Sequence, residues 1–213
     1  MHLVRTRSLL VFAVAAAAAA GIAAPVAIGA QRAALSPADA DRFDRKYQEL
    51  IRYGGTLESS RFRSAIARRT TFTEAETNAY LQYKAGPDIP KGMIGPSITA
   101  TGGGRIVGAA VLDLDVVRRD SQRGMFDLAQ LLTGKYPVAV SGVLRTRKGI
   151  ATFELESASI GGVPVPRSLI ALVLAYYSRS PQHPRGLSLD AQYILPWGIQ
   201  EIDIQSHRAV VTQ

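Results

Sequence analysis

The chain has 213 residues, 47% hydrophobic and 20% charged, and a formal charge of +8. That is enough chain for one domain with a real core, and too apolar for a wholly disordered polymer. Cysteine is absent, which excludes disulfides, thiolate zinc sites, a cysteine nucleophile and a lipoprotein anchor.

Residues 1–30 read as an export signal. Met1–Arg7 holds His2, Arg5 and Arg7, Ser8–Ala30 carries no charge, and Ile28-Gly29-Ala30 supplies small residues at a cleavage point. This is the basic, apolar and small-residue order of a signal peptide. The apolar stretch is also long enough to span a bilayer uncut. Residues 1–30 are therefore expected to be a signal peptide or an N-terminal membrane anchor through 8–30, with the rest exported to the periplasm or cell envelope. Loss of Arg5 and Arg7 leaves a charge of +6.

Residues 31–69 are expected to be a helical N-terminal segment and 70–213 an α+β domain. Ser36-Pro37 suits an N-cap and first helical position. Phe43, Tyr47, Leu50 and Ile51 recur at helical spacing, so a helix is expected over 37–52, ended by Gly54-Gly55. Residues 56–69 permit a second helix with a basic face. Thr71–Phe72 suits a short strand. Thr73-Glu74-Ala75-Glu76 is a capping box opening a helix to about Lys84.

Strand patterns follow. Pro96–Thr101 and Arg105–Arg118 read as a hairpin around Gly102-Gly103-Gly104, with Leu112, Leu114 and Val116 on one face. Gly124–Thr133 reads as a short helix. Tyr136–Thr146 and Ile150–Ser159 form a second hairpin around Arg147-Lys148-Gly149. Gly161–Pro166 is a loop, and 167–178 is a helix whose centre, Leu169–Tyr177, is apolar on every side. Leu187–Tyr193 alternates as a strand, Pro196-Trp197-Gly198 makes a turn, and Ile199–Gln205 with Arg208–Thr212 forms a terminal hairpin. The fold class expected is α+β: a curved antiparallel sheet of about six to seven strands with helices packed on one face.

Candidate chemistry is sparse. His183 and His207 lie in a loop and a turn, with no ligand at metal-binding spacing. Ser141, Ser157 and Ser168 sit in no nucleophile elbow. Asp113/Asp115 and Glu154/Glu156 are carboxylates two apart on expected strands, facing solvent, where Arg118, Arg119, Arg145 and Arg147 can pair with them. The three glycines lack the helix and Lys-Ser/Thr of a phosphate loop. The residues call for no metal and no cofactor. Arg61, Arg63, Arg68 and Arg69 form a basic cluster that suits peripheral contact with anionic lipid headgroups, against the plainer reading of a solvated face. Export and the lack of interleaved aromatics disfavour nucleic acid. Leu169–Tyr177 admits two readings: a central core helix, or a helix with one side on the sheet and another on a lipid-like ligand, membrane or partner.

Two motifs carry a resemblance. Thr73-Glu74-Ala75-Glu76-Thr77-Asn78-Ala79-Tyr80-Leu81 resembles a helix opening, and Leu195-Pro196-Trp197-Gly198-Ile199 a turn, of exported bacterial envelope proteins of the LmeA and YpmS types, some similar to tubular (TULIP-like) lipid-binding domains. The resemblance covers roughly 70–213. It implies a curled sheet, a long helix and an apolar groove, and no catalytic residue is carried over.

The expected function is therefore an exported, non-enzymatic protein that binds or transfers a lipid-like hydrophobic molecule. Leu112, Leu114, Val138 and Val140 would line the site with Leu169, Ile170, Val173, Leu174 and Tyr177. The alternatives are an envelope assembly or scaffold protein that binds a protein partner and, third, a lipid hydrolase.

Overall fold

The computed structural model describes residues 34–59, 67–120, 133–178 and 184–213, without the side chains of 57–59, 118, 120, 176 and 177. The expected signal or anchor, the helix of 124–133 and most of the loop at 180–185 lie outside the described residues. The described elements are α1 (Pro37–Ser59), β1 (Arg69–Thr73), α2 (Glu74–Tyr83), β2 (Met93–Gly102), β3 (Arg105–Asp113), α3 (Leu114–Asp120), β4 (Lys135–Arg147), β5 (Ile150–Ile160), β6 (Val163–Pro164), α4 (Arg167–Tyr177), β7 (Tyr193–Ile194), β8 (Glu201–Gln205) and β9 (Arg208–Thr212). The fold is α+β and its sheets are antiparallel. One sheet runs β2-β3-β4-β5-β6, with β7 also on β5, and a second runs β1-β9-β8.

Ser36 caps α1, its Oγ accepting from the Asp39 N–H at 3.1 Å. The helix does not stop at Gly54-Gly55 but runs to Ser59. Gly54 is pressed against the Trp197 turn, where a Cβ would stand 2.3 Å from the Trp197 Cβ. Glycine is there for close approach, not termination. Ala67 and Arg68 precede β1 in no helix.

The capping box forms as expected. Thr73 Oγ1 accepts from the Glu76 N–H at 3.2 Å, and a Glu76 carboxylate oxygen accepts from the Thr73 N–H at 3.0 Å. The same motif closes a sheet edge. Asn78 donates to the Ile98 carbonyl at 2.8 Å and accepts from the Ile98 N–H at 2.7 Å, and Glu74 accepts from the Ala100 N–H at 3.1 Å. The outer edge of β2 thus finds its partners in α2 side chains and, at Ala100, in the backbone of the β8–β9 turn, where the His207 N–H donates to the Ala100 carbonyl at 2.8 Å.

Both central hairpins form. Gly103 and Gly104 turn β2 into β3 with φ of +62° and +83°, as a two-residue hairpin loop requires. Gly104 also ties the sheets together: its N–H donates to the Ile204 carbonyl at 3.2 Å, and its carbonyl accepts from Leu144 at 2.9 Å. Thr146 adds a second tie, its hydroxyl accepting from the Ile202 N–H at 2.8 Å and donating to the Ile202 carbonyl at 2.9 Å.

Two expected strands change. The second arm of the first hairpin ends at Asp113, and Leu114–Asp120 is helical. The Asp113 carboxylate accepts from the N–H groups of Asp115 and Val116 at 3.1 and 3.2 Å, so it caps a helix and the alternation beyond it is not a strand. Residues 187–192 are irregular apart from a turn at 189–190, and only Tyr193–Ile194 is strand. The Tyr193 hydroxyl accepts from the Ser188 N–H at 2.6 Å and donates to the Ser188 carbonyl at 2.5 Å, closing a loop where a strand was expected.

The main core lies between α1, α2, the second sheet and the nearer half of the first. One cluster joins Tyr80, Leu81, Ala85, Ile98, Ala100, Ile106 and Ile204; another joins Tyr47, Leu50, Phe72, Ile199 and Val211. Phe43 packs against both clusters, its ring 4.5 Å from that of Tyr80 and 4.8 Å from that of Phe72. The N-terminal helix is therefore part of the domain's core. Glu76, buried at the α1–α2 contact, receives Lys46 at 2.7 Å.

Candidate functional site

The far half of the larger sheet carries an apolar strip. Cross-strand partners share a face. Leu112 stands opposite Met93 and Tyr136; Ala110 opposite Val138, Val138 opposite Ile160, and Ile160 opposite Val163; Gly108 opposite Val140, and Val140 opposite Ala158. Of the expected lining residues, Leu112, Val138 and Val140 thus share one face. Leu114 does not join them. It is buried as the first residue of α3, its N–H donating to the Gly134 carbonyl at 3.0 Å.

Helix α4 lies over this strip. Ile170 packs against a small cluster of Val140 and Ala158, together with Leu155 and Val165. The structure therefore joins Val140 and Ile170, which the sequence had placed in one site. Leu169, Val173 and Leu174 are half-buried on the same helix, and Leu172 is 43% exposed. The Tyr177 side chain lies outside the description.

None of the seven residues from Leu169 to Ala175 is fully buried. This overturns the reading of α4 as a central core helix, because α1 and α2 already fill the principal core. Both ends of α4 are tied to the loop that follows. Arg167 pairs with Asp190. Ser178 Oγ donates to the Leu174 carbonyl at 2.5 Å and accepts from the Leu187 N–H at 2.6 Å. The helix is held as a strap, its middle apolar and half wet. Tyr136, Ile160 and Val163 also line this face. They were missed: Tyr136 continues the alternation of Val138 and Val140, but Ile160 falls out of step with Phe153 and Leu155 across the register shift at Ser141/Gly142, and Val163 lies in the segment expected as a loop.

Charges gather on the opposite face. Arg105 grips Glu156 with two nitrogens at 2.5 and 2.9 Å, and Arg145 pairs with Glu154 at 2.7 Å. Arg145 was an expected partner; Arg105 was not. Each guanidinium holds its carboxyl below the ordinary 4.5, which makes both carboxylates weak bases. Ser141 Oγ lies 3.3 Å from Ser157 Oγ and 3.5 Å from Glu156. Ser168 is exposed on α4, away from this group. Asp113 and Asp115 are not a free solvent pair: Asp113 caps α3, and Asp115 accepts from the Gly134 N–H at 3.1 Å.

His207 lies in the β8–β9 turn, its Nδ1 3.0 Å from Glu74 Oε2. His183, Arg61 and Arg63 lie outside the described residues. Arg68 is engaged, with Glu49 at 2.8 Å and the Tyr53 ring 5.4 Å beneath its guanidinium, and Arg69 is exposed on β1. Among the described residues, no group of three His, Asp or Glu could hold a metal ion, and no helix is long and apolar enough to cross a membrane.

No protein-family model, curated protein or solved structure matches the chain.

Proposed function

We propose that the chain is an exported envelope protein that holds or transfers a lipid-like hydrophobic molecule between α4 and the sheet, without chemistry on it. Leu112, Val138 and Val140 form the floor. Leu169, Ile170, Val173 and Leu174 form the cover, with Tyr177 at its end. The observation that carries this reading is an eleven-residue helix with an uninterrupted apolar centre and no fully buried side chain from Leu169 to Ala175. Full burial of a Val, Leu or Ile side chain is worth roughly 1.5–3 kcal/mol. A helix of this composition left half wet forgoes much of that gain, and an acyl chain beside it restores it. The resemblance of Thr73–Leu81 and Leu195–Ile199 to exported envelope proteins, some of them similar to lipid-binding domains, supports the same reading.

The test is organic extraction of protein purified from an exporting host, followed by lipid mass spectrometry and titration with a fluorescent fatty acid. Bound acyl-chain species are expected. Val173→Asn and Leu174→Asn should each weaken fatty-acid binding about tenfold. Recovery of no lipid, with no fatty-acid binding, sinks the reading; a protein that co-purifies in its place assigns the α4 face to a protein partner.

A further inference from the structure

The hairpin that joins β4 to β5 carries an exposed apolar pair that the core does not use. Ile150 stands opposite Arg147 on one side and opposite Ile194 of β7 on the other. Ile150 is 42% exposed and Ile194 87%, the most exposed large hydrophobic residue described. Lys148, with φ of +51°, lies in the turn between Arg147 and Ile150, and both Arg147 and Lys148 are exposed.

Two isoleucines are thus set side by side at the tip made by the β4–β5 turn, which Gly149 ties to Leu195 and Gln200, with two cations beside them. Further along the same face the charges cancel: Arg145 is paired with Glu154 and Arg105 with Glu156. Arg147 and Lys148 have no ion-pair partner among the described residues, so the positive charge at the tip is uncompensated. Charged stems that flank an apolar tip place their heads among lipid headgroups while the tip enters the acyl boundary. Each such cation also gains from a negative surface.

We infer that the tip formed by Arg147, Lys148, Ile150 and Ile194 docks the protein on an anionic lipid surface, isoleucines inward and cations at the headgroups. A second copy of the chain is a poorer occupant, because pairing two tips sets these cations against each other. The pair lies on the face opposite the strip under α4, so this proposal and the one for α4 stand or fall separately.

The absence of cysteine allows one probe to be placed cleanly. Ile194→Cys in the full chain is labelled with an environment-sensitive nitrobenzoxadiazole dye, with Gln82→Cys on α2 as a second site. Vesicles are phosphatidylcholine alone, or phosphatidylcholine with phosphatidylglycerol, each with and without a doxyl-lipid quencher. The probe reads its own depth, so the apolar segment 8–30 does not supply the signal.

Blue-shifted, quenched emission at 194 on the anionic vesicles only, with 82 remaining in water, is expected. Adding Arg147→Glu and Lys148→Glu, both at exposed positions that leave the fold intact, should lower the lipid-inserted fraction at least about fivefold. Water-like emission at 194 on both vesicles overturns the inference. So does an equal shift on neutral vesicles, which removes the role of the cations, and so does a shift that grows with protein concentration without vesicles, which makes the tip a contact between copies.

Discussion

Gly54 and Gly55 are adjacent in α1 yet should answer the same substitution with opposite signs. Alanine is favoured over glycine inside a helix by about 1 kcal/mol, so local reasoning predicts that Gly54→Ala and Gly55→Ala both stabilise. The structure separates them. A Cβ on Gly55 has no atom within 4 Å, whereas one on Gly54 would stand 2.3 Å from the Trp197 Cβ, 2.4 Å from its carbonyl oxygen and 2.6 Å from its Cα. These are backbone and near-backbone atoms that cannot swing aside. Trp197 has little room to retreat. Its φ is +56°, its ring meets Tyr47 edge-on at 5.8 Å, and its carbonyl accepts from Gln213 Nε2 at 2.8 Å. Overpacking of this kind costs about 1–3 kcal/mol. Set against the helix gain, Gly54→Ala should lose up to about 2 kcal/mol, a drop of up to roughly 8 °C in Tm, while Gly55→Ala should gain about 0.5–1 kcal/mol. Thermal and urea unfolding by far-UV circular dichroism and by the fluorescence of the single tryptophan measure both. A Gly54→Ala protein at least as stable as the parent would refute the claim that α1 is clamped on the Trp197 turn.

Asn78→Ala removes both side-chain bonds to Ile98 and should cost about 1–3 kcal/mol, with faster hydrogen exchange at the Ile98 amide; unchanged exchange would show that the β2 edge is held otherwise. Burial pushes the Glu76 carboxyl up, but the Lys46 ammonium and the Thr73 N–H outweigh it and hold the group below 4.5. Its stabilising contribution is therefore complete above the ordinary carboxylate value and lost as pH falls through the lower folded value. Urea midpoints followed from neutral pH to about pH 3 should fall less steeply in Glu76→Gln than in the parent, and identical slopes would remove Glu76 from the acid response.

What could be read from the sequence was local. The capping box, both central hairpins and the Pro196–Gly198 turn depend on residues within a few positions of each other, and their donors, acceptors and glycines are visible in the chain. What could not be read was decided at long range. Gly54-Gly55 reads as a helix stop until Trp197, far along the chain, is seen to need the space. Leu112, Leu114 and Val116 alternate as a strand would, yet the Asp113 carboxylate serves equally as a helix cap, and the contact of Leu114 with the Gly134 carbonyl favours the helix. Arg105 and Glu156 meet only because β3, β4 and β5 lie side by side.

Helix α4 shows where pattern reasoning about burial stops. A helix apolar on every side is expected in the interior, because water around it is costly. Where it sits, however, depends on which other elements reach the interior first. Here α1 brings Phe43, Tyr47 and Leu50, and α2 brings Tyr80 and Leu81, and together with the second sheet they fill the core. What remains for α4 is the far half of the larger sheet, which offers Val140 and Ala158 as its buried contacts. Two of the residues that the sequence placed together, Val140 and Ile170, do meet. The sequence left their surroundings open between a core helix and a helix with one side on the sheet, and α4 has sheet on one side and an exposed Leu172 on its surface. That surplus of apolar surface outside the core is the physical basis for seeking a hydrophobic occupant there, and it is a property of the packing order of the helices that composition and periodicity do not encode.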